Sequence, residues 1–207
     1  MNLPEDPISL TADLKCVRIS EIILQTSRYD DLSRWYKAVL GVKPYFEKSE
    51  RPAPAAVKSG SKGVRASDVR LCFFRLQMDY PYTQTFGIFE IPGLGDKPTI
   101  DPGLNHMQFR HDSLDQVVTR YERLRGAGIT PYRVANHGPG SSFYYNDPDG
   151  NVVELSANNF ATEAEYLAYF QSESFKRNPS GIDVDPETYV KRFRSGIPLE
   201  EFRLIPA

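Results

Sequence analysis

Arg18-Ile-Ser-Glu21-Ile-Ile-Leu-Gln-Thr26, Asp31-Leu-Ser-Arg-Trp35-Tyr36-Lys-Ala-Val-Leu40 and Gly41-Val-Lys-Pro44-Tyr45 form a pattern that the chain repeats. The second copy reads Gly103-Leu-Asn-His106-Met-Gln-Phe-Arg-His111, Leu114-Asp-Gln-Val-Val-Thr-Arg-Tyr121-Glu-Arg-Leu124 and Gly128-Ile-Thr-Pro131-Tyr132. Internal repeats decide a fold before any single motif does. Glu21 and His106 lie 85 positions apart and Gly41 and Gly128 lie 87 apart, so two extra residues in the second helix region align the copies. In each, an apolar strand with period-2 alternation comes first. Val17, Ile19, Glu21 and Ile23 share one of its faces. A helix follows, with Leu32, Trp35, Tyr36, Val39 and Leu40 at helical spacing in the first copy. Gly41 and Gly128 suit the left-handed residue that ends each helix, and a Pro-Tyr pair opens the next strand.

Further strands are predicted around Val69–Leu76 and Phe86–Ile91, and around Ser142–Tyr145 and Asn151–Ser156. Asn146-Asp-Pro-Asp-Gly150 is a tight reversal between the last two, with Pro and Gly both placed for a turn. The reading is α+β: two βαβββ modules, about 15–93 and 103–160, that each leave a sheet face to bury and so pair into one domain over 15–160. Residues 1–14 form an N-terminal extension without an apolar core segment, so no secretory signal is expected. Lys48 to Asp68, rich in Pro, Ala, Ser, Gly and Lys, reads as a long loop of the kind that is either a functional lid or disordered. A C-terminal helical tail, 161–207, starts from a capping box at Thr162-Glu-Ala-Glu165. It carries a second N-cap at Asp185-Pro186 and packs on the domain or on a second subunit.

With 207 residues, 40% hydrophobic and 25% charged, the composition is that of an ordinary globular chain. Twenty-five basic against 27 acidic residues give a net charge of −2, without the basic excess that nucleic-acid or membrane-surface binding needs. No apolar run approaches the roughly 20 residues of a membrane span. Cys16 and Cys72 lie in apolar runs and read as reduced core residues, so a cytoplasmic protein is expected.

Two positions demand chemistry. Glu154 lies in an apolar strand beside Val152 and Val153, and an unpaired buried carboxylate costs several kcal/mol unless a cation or hydrogen-bond donors meet it. His106 opens the matching strand of the second copy. The only other histidines are His111, expected to be exposed near a helix start, and His137, in the loop Asn136-His-Gly-Pro-Gly140.

The paired repeat, His106, and Asp147-Pro-Asp-Gly-Asn-Val-Val-Glu154-Leu closing the second copy resemble the vicinal oxygen chelate superfamily of glyoxalases, bleomycin-resistance proteins and extradiol dioxygenases. The resemblance covers about residues 15–160. Gly103-Leu-Asn-His106, Asn136-His-Gly138 and Ser142-Phe-Tyr-Tyr145 are most similar to the small catechol 2,3-dioxygenase-type members. It implies a U-shaped, half-open barrel holding a divalent metal on Glu21, His106 and Glu154. Fe(II) is favoured, with Mn(II) or Mg(II) as alternatives. It further implies a catalytic role for Tyr144 and a small aromatic or bidentate-oxygen substrate; His137, in a loop at the cavity mouth, is a candidate acid/base group, and Phe73, Phe86, Phe109 and Tyr132 are candidate aromatic walls. Glu90 is a candidate counterpart of Glu154 in the first copy. Dioxygen would be the second substrate, and a homodimer is expected.

Two departures matter. Glu21 stands where the dioxygenases carry histidine, and Tyr82-Thr-Gln84-Thr85 offers no acid/base imidazole. The leading expectation is therefore an extradiol-type ring-cleavage dioxygenase acting on a vicinal-diol aromatic. The alternatives are a metal-dependent isomerase, epimerase or lyase that stabilises an enolate, or a metal-free small-molecule binding protein.

Overall fold

The same strand order arises twice. In the computed structural model, which describes residues 19, 21–50, 69–79, 82–91, 93–95, 104–178, 180–203 and 205, the first copy gives β1 (Glu21–Thr26), α1 (Tyr29–Leu40), β2 (Phe46–Lys48), β3 (Leu71–Asp79) and β4 (Tyr82–Glu90). The second gives β5 (Met107–Arg110), α2 (Leu114–Gly126), β6 (Arg133–Asn136), β7 (Gly140–Asn146) and β8 (Val152–Asn158). The first sheet is ordered β1-β4-β3-β2 and the second β5-β8-β7-β6, extended at its edge by β9 (Ile182–Asp183). In both, the outer strand runs parallel to its neighbour and every other pairing is antiparallel. The extension 1–14, Cys16 and the loop from 51 to 68 lie outside the described residues.

The chain divides into two compact units, residues 1–29 with 42–93, and residues 30–41 with 94–207. Helix α1 belongs to the second, although its sequence belongs to the first copy. Its buried stripe of Leu32, Tyr36 and Val39 is held there by the Tyr36 hydroxyl, which donates to Asp147 Oδ2 at 3.0 Å, and by Arg120, which donates to the Val39 carbonyl. Asp147 in turn shapes the reversal before β8. Its Oδ1 accepts from the Asp149 and Asn151 amides at 2.9 and 2.8 Å, and Gly150 takes the positive φ of 84° that the turn requires.

In the first unit Cys72, Phe74, Phe86 and Ile88 form one buried sheet face, and Cys72 is a free thiol. In the second, α2 starts at Ser113, whose side chain accepts from the Gln116 amide, and buries Val117, Val118, Tyr121 and Leu124. The Tyr121 ring meets Phe143 of β7 at 5.3 Å. Each large side chain so buried contributes about 1.5–3 kcal/mol.

The tail is built into the second unit as α3 (Glu163–Tyr169), α4 (Glu173–Arg177), β9, α5 (Pro186–Arg194) and a closing 3-10 turn, Leu199–Arg203. Asp185 caps α5 by accepting from the Thr188 amide, and the buried Tyr189 and Phe202 pack ring to ring at 5.1 Å. Among the described residues no helix is long and apolar enough to cross a membrane.

Candidate metal centre

Strand alternation sends the odd residues of β8, with Phe143 and Tyr145 of β7, toward the core. The even residues of β5, β7 and β8 go to the opposite face. Glu154 of β8 is the hub of that second face. It is 3% exposed, its register partners are Gln108 on β5 and Tyr144 on β7, and Ser142 lies two residues before Tyr144. Glu154 Oε1 accepts from Ser142 Oγ at 2.6 Å and from Gln108 Nε2 at 2.7 Å. Its Oε2 stands 3.2 Å from Nε2 of His106, which immediately precedes β5.

The imidazole is oriented from its other side, since Nδ1 is 2.7 Å from Asn105 Oδ1. An amide oxygen only accepts, so Nδ1 donates to Asn105 and Nε2 is the nitrogen turned toward the carboxylate. An imidazole nitrogen and a carboxylate oxygen at that distance are held by a positive charge, either a proton on Nε2 or a metal ion bound to both. Metal–ligand bonds of about 2.0–2.2 Å meeting near a right angle place neighbouring donors about 3 Å apart. The pair therefore fits a divalent cation, with Ser142 and Gln108 fixing the carboxylate from behind. Among the described residues of this unit no third His, Cys, Asp or Glu joins it.

Next to the pair, the Tyr144 hydroxyl is 2.9 Å from His137 Nε2. His137 Nδ1 lies 2.7 Å from the carbonyl of Ser180, which can only accept, so Nδ1 donates there and Nε2 is the nitrogen that meets the Tyr144 hydroxyl. Burial, reinforced by the Glu154 charge, raises the Tyr144 phenol above its ordinary range and keeps it protonated. The tail thus orients the His137 ring. It does so at close quarters, because Gly181 presses on the Asn136 carbonyl with a φ of 70°.

His106, Glu154, Tyr144 and His137 are brought together on this face. Gln108 and Ser142 join them unforeseen, though each is a polar residue two positions from a predicted one in an apolar strand. Tyr132 is 54% exposed beside the face, its ring 6.4 Å from that of Tyr144. Phe109 is not part of it, because alternation turns it to the face opposite Gln108. His111, expected to be exposed, is half-buried, and burial lowers its affinity for a proton.

In the first unit, Glu21 is an exposed residue at the start of β1. It shares a face with Ile23, Gly87 and Phe73. Ile23 pairs with Gly87 and Phe73 with Gly87, as Gln108 and Tyr144 pair with Glu154 in the second unit. Gly87 is thus the repeat counterpart of Glu154, and a Cβ there would lie 2.5 Å from Ile23 Cδ1 and 2.8 Å from the Phe73 ring. Glu90 is not the counterpart; it lies on the opposite face, 3.7 Å from Arg70 Nε. Phe86 also faces that side, 1% exposed against Phe74, which removes it from any wall on the Glu21 face.

Duplicated strand orders with a carboxylate and an imidazole on the sheet of the second copy define a class, and the chain belongs to it. The Glyoxalase/Bleomycin resistance protein/Dioxygenase superfamily matches residues 18–155. Biphenyl-2,3-diol 1,2-dioxygenase 3 of Rhodococcus globerulus is 30% identical over 187 residues, spanning 89% of this chain and 86% of its own. Biphenyl-2,3-diol 1,2-dioxygenase 2 of the same organism is 29% identical over 189 residues, spanning 88% and 85%. Among solved structures, a glyoxylase/bleomycin resistance protein/dioxygenase domain from Frankia sp. EAN1pec matches with a TM-score of 0.53 at 19% identity, over 70% of this chain and 99% of that one. The fosfomycin resistance protein FosX of Listeria monocytogenes matches with a TM-score of 0.51 at 19% identity, over 74% and 100%. These two likenesses concern the fold.

Proposed function

We propose that the chain is a metal-dependent extradiol-type ring-cleavage dioxygenase acting on a small aromatic vicinal diol. The observation that carries this reading is the His106–Glu154 pair, an imidazole nitrogen 3.2 Å from a carboxylate whose other oxygen is already occupied by Ser142 and Gln108. The metal, Fe(II) in the first instance, supplies chelation of the diol oxygens and a site at which dioxygen reacts. Glu21 is the repeat counterpart of His106. It precedes the Ile23–Gly87 pair by two residues, as His106 precedes Gln108–Glu154. Tyr132 is the aromatic wall retained beside Tyr144 in the proposal.

The chain's own groups handle the protons. His137 Nε2 is within hydrogen-bond reach of the Tyr144 hydroxyl. A diol proton passed to Tyr144 Oη can therefore move on to His137 as Tyr144 gives up its own. In this reading the His137–Tyr144 pair takes over the work of the imidazole that Tyr82-Thr-Gln84-Thr85 does not provide.

The test is metal analysis of anaerobically purified protein, followed by oxygen uptake with simple catechols. Stoichiometric iron with uptake supports the proposal. Stoichiometric metal without uptake would overturn it in favour of non-oxidative enolate chemistry, and protein without metal affinity would leave only a binding function.

A further inference from the structure

The face that bears Glu154 continues past it. Ser156 and Asn158 follow at alternate positions of β8, and Arg110 is the register partner of Ser156. With Gln108, Ser142 and Glu154 they line one hollow, which Tyr166 of α3 flanks. Arg110 donates to Asn158 Oδ1 and, at 3.2 Å, to Gln108 Oε1, while Gln108 turns its amino group to Glu154. Both partners of the guanidinium are neutral amides, and among the described residues no carboxylate forms an ion pair with it. Ser156 is 2% exposed, and its Oγ has no hydrogen-bond partner among the described residues. A buried hydroxyl without a partner costs stability unless something else meets it.

We infer that this end of the hollow receives a carboxylate carried by the substrate. The substrate class is then an aromatic vicinal diol with an anionic side arm, not an unsubstituted diol. The arm's carboxylate accepts from the unused N–H groups of Arg110 and from Ser156 Oγ. It lies two strand residues, about 7 Å, beyond the level of Glu154 where the diol chelates. A guanidinium held in place by two amides is suited to a planar acceptor, and Gln108 links its position to that of Glu154. The inference rests on the dioxygenase reading for the diol end and on Arg110 and Ser156 for the other.

The experiment is anaerobic calorimetry of the Fe(II)-loaded full chain with dihydrocaffeate, its methyl ester, and hydrocinnamate, which has the acid but no diol. The acid is expected to bind about tenfold more tightly than its ester. In Arg110→Gln that ratio falls to about one. Ser156→Ala narrows it about threefold, with a melting temperature no lower than the parent's. Equal binding of acid and ester by the parent, or a ratio preserved in Arg110→Gln, overturns the inference. If no diol binds or consumes oxygen, the dioxygenase reading fails and hydrocinnamate decides the rest. Binding that Arg110→Gln abolishes upholds the carboxylate site, and no binding overturns it too.

Discussion

Ser142 donates the shortest hydrogen bond to Glu154, at 2.6 Å, from a fully buried position, so it fixes which carboxylate oxygen stays turned toward His106. Removing such a supporting contact costs about 10–100-fold in metal affinity or activity where the carboxylate ligates. Ser142→Ala is therefore expected to weaken Fe(II) binding at least about tenfold in competition with a chromogenic chelator; unchanged affinity would separate Glu154 from the metal. In the proposed relay His137 and Tyr144 act on one proton, so their losses should not add. His137→Ala and Tyr144→Phe are each expected to lower turnover about 10²-fold, and the double variant little further. Turnover that falls by the product of the two would mean they work independently. The single residues that the sequence revealed were the chemically costly ones. A carboxylate between Val153 and Leu155 in an apolar strand and a histidine at a repeat-equivalent position stand out in a list of letters. A serine and a glutamine do not, because their meaning comes only from Glu154 lying across the strand.

At the scale of elements, parity is the lesson. Phe86 and Phe109 looked like aromatic walls as strand residues of the right type, but each occupies the alternate face to the positions paired with Gly87 and Glu154. Counting by twos from His106 excludes Phe109, and the Glu21–Thr85 register excludes Phe86. The repeat itself was legible down to strand order, since every strand carried its own pattern. β9 was not, being two residues long with no alternation to display, yet it edges β6 and brings Ser180 to His137. Gly181 makes that approach possible. A Cβ there would lie 2.2 Å from the Asn136 carbonyl oxygen and 2.5 Å from His137 Cα, at a φ of 70°. Gly181→Ala pays roughly 1–2 kcal/mol for the left-handed backbone alone, and the contact adds to it. The expected result is a lower denaturation midpoint with earlier proteolysis of the tail and a loss of turnover that tracks the displaced His137. Parent-like stability would show that the tail does not press on the loop.

Across the whole molecule, the membership of α1 was beyond reach of local pattern, because it is decided by a hydroxyl and a carboxylate 111 positions apart. The second unit buries several such phenols. Burial raises the proton affinity of Tyr36, Tyr145, Tyr121 and Tyr189, the last two to about 12. In the unfolded chain a tyrosine ionises near pH 10. Above that pH the unfolded state has released protons that the folded state still holds, so stability falls as pH rises. The stabilisation is complete below about pH 10 and is withdrawn progressively as pH climbs toward 12 and beyond. Absorbance at the phenolate band should therefore show exposed tyrosines titrating first, and the buried set ionising together in one steep step. That step should coincide with loss of far-ultraviolet circular dichroism. Tyr189→Phe removes one of these late phenols at the cost of its bond to Ser141. It should shrink the steep step by about one tyrosine and leave the early phase as it was. A single smooth titration of all 12 tyrosines near pH 10 with the dichroism intact would contradict the packing of Tyr36, Tyr121, Tyr145 and Tyr189 described for this unit.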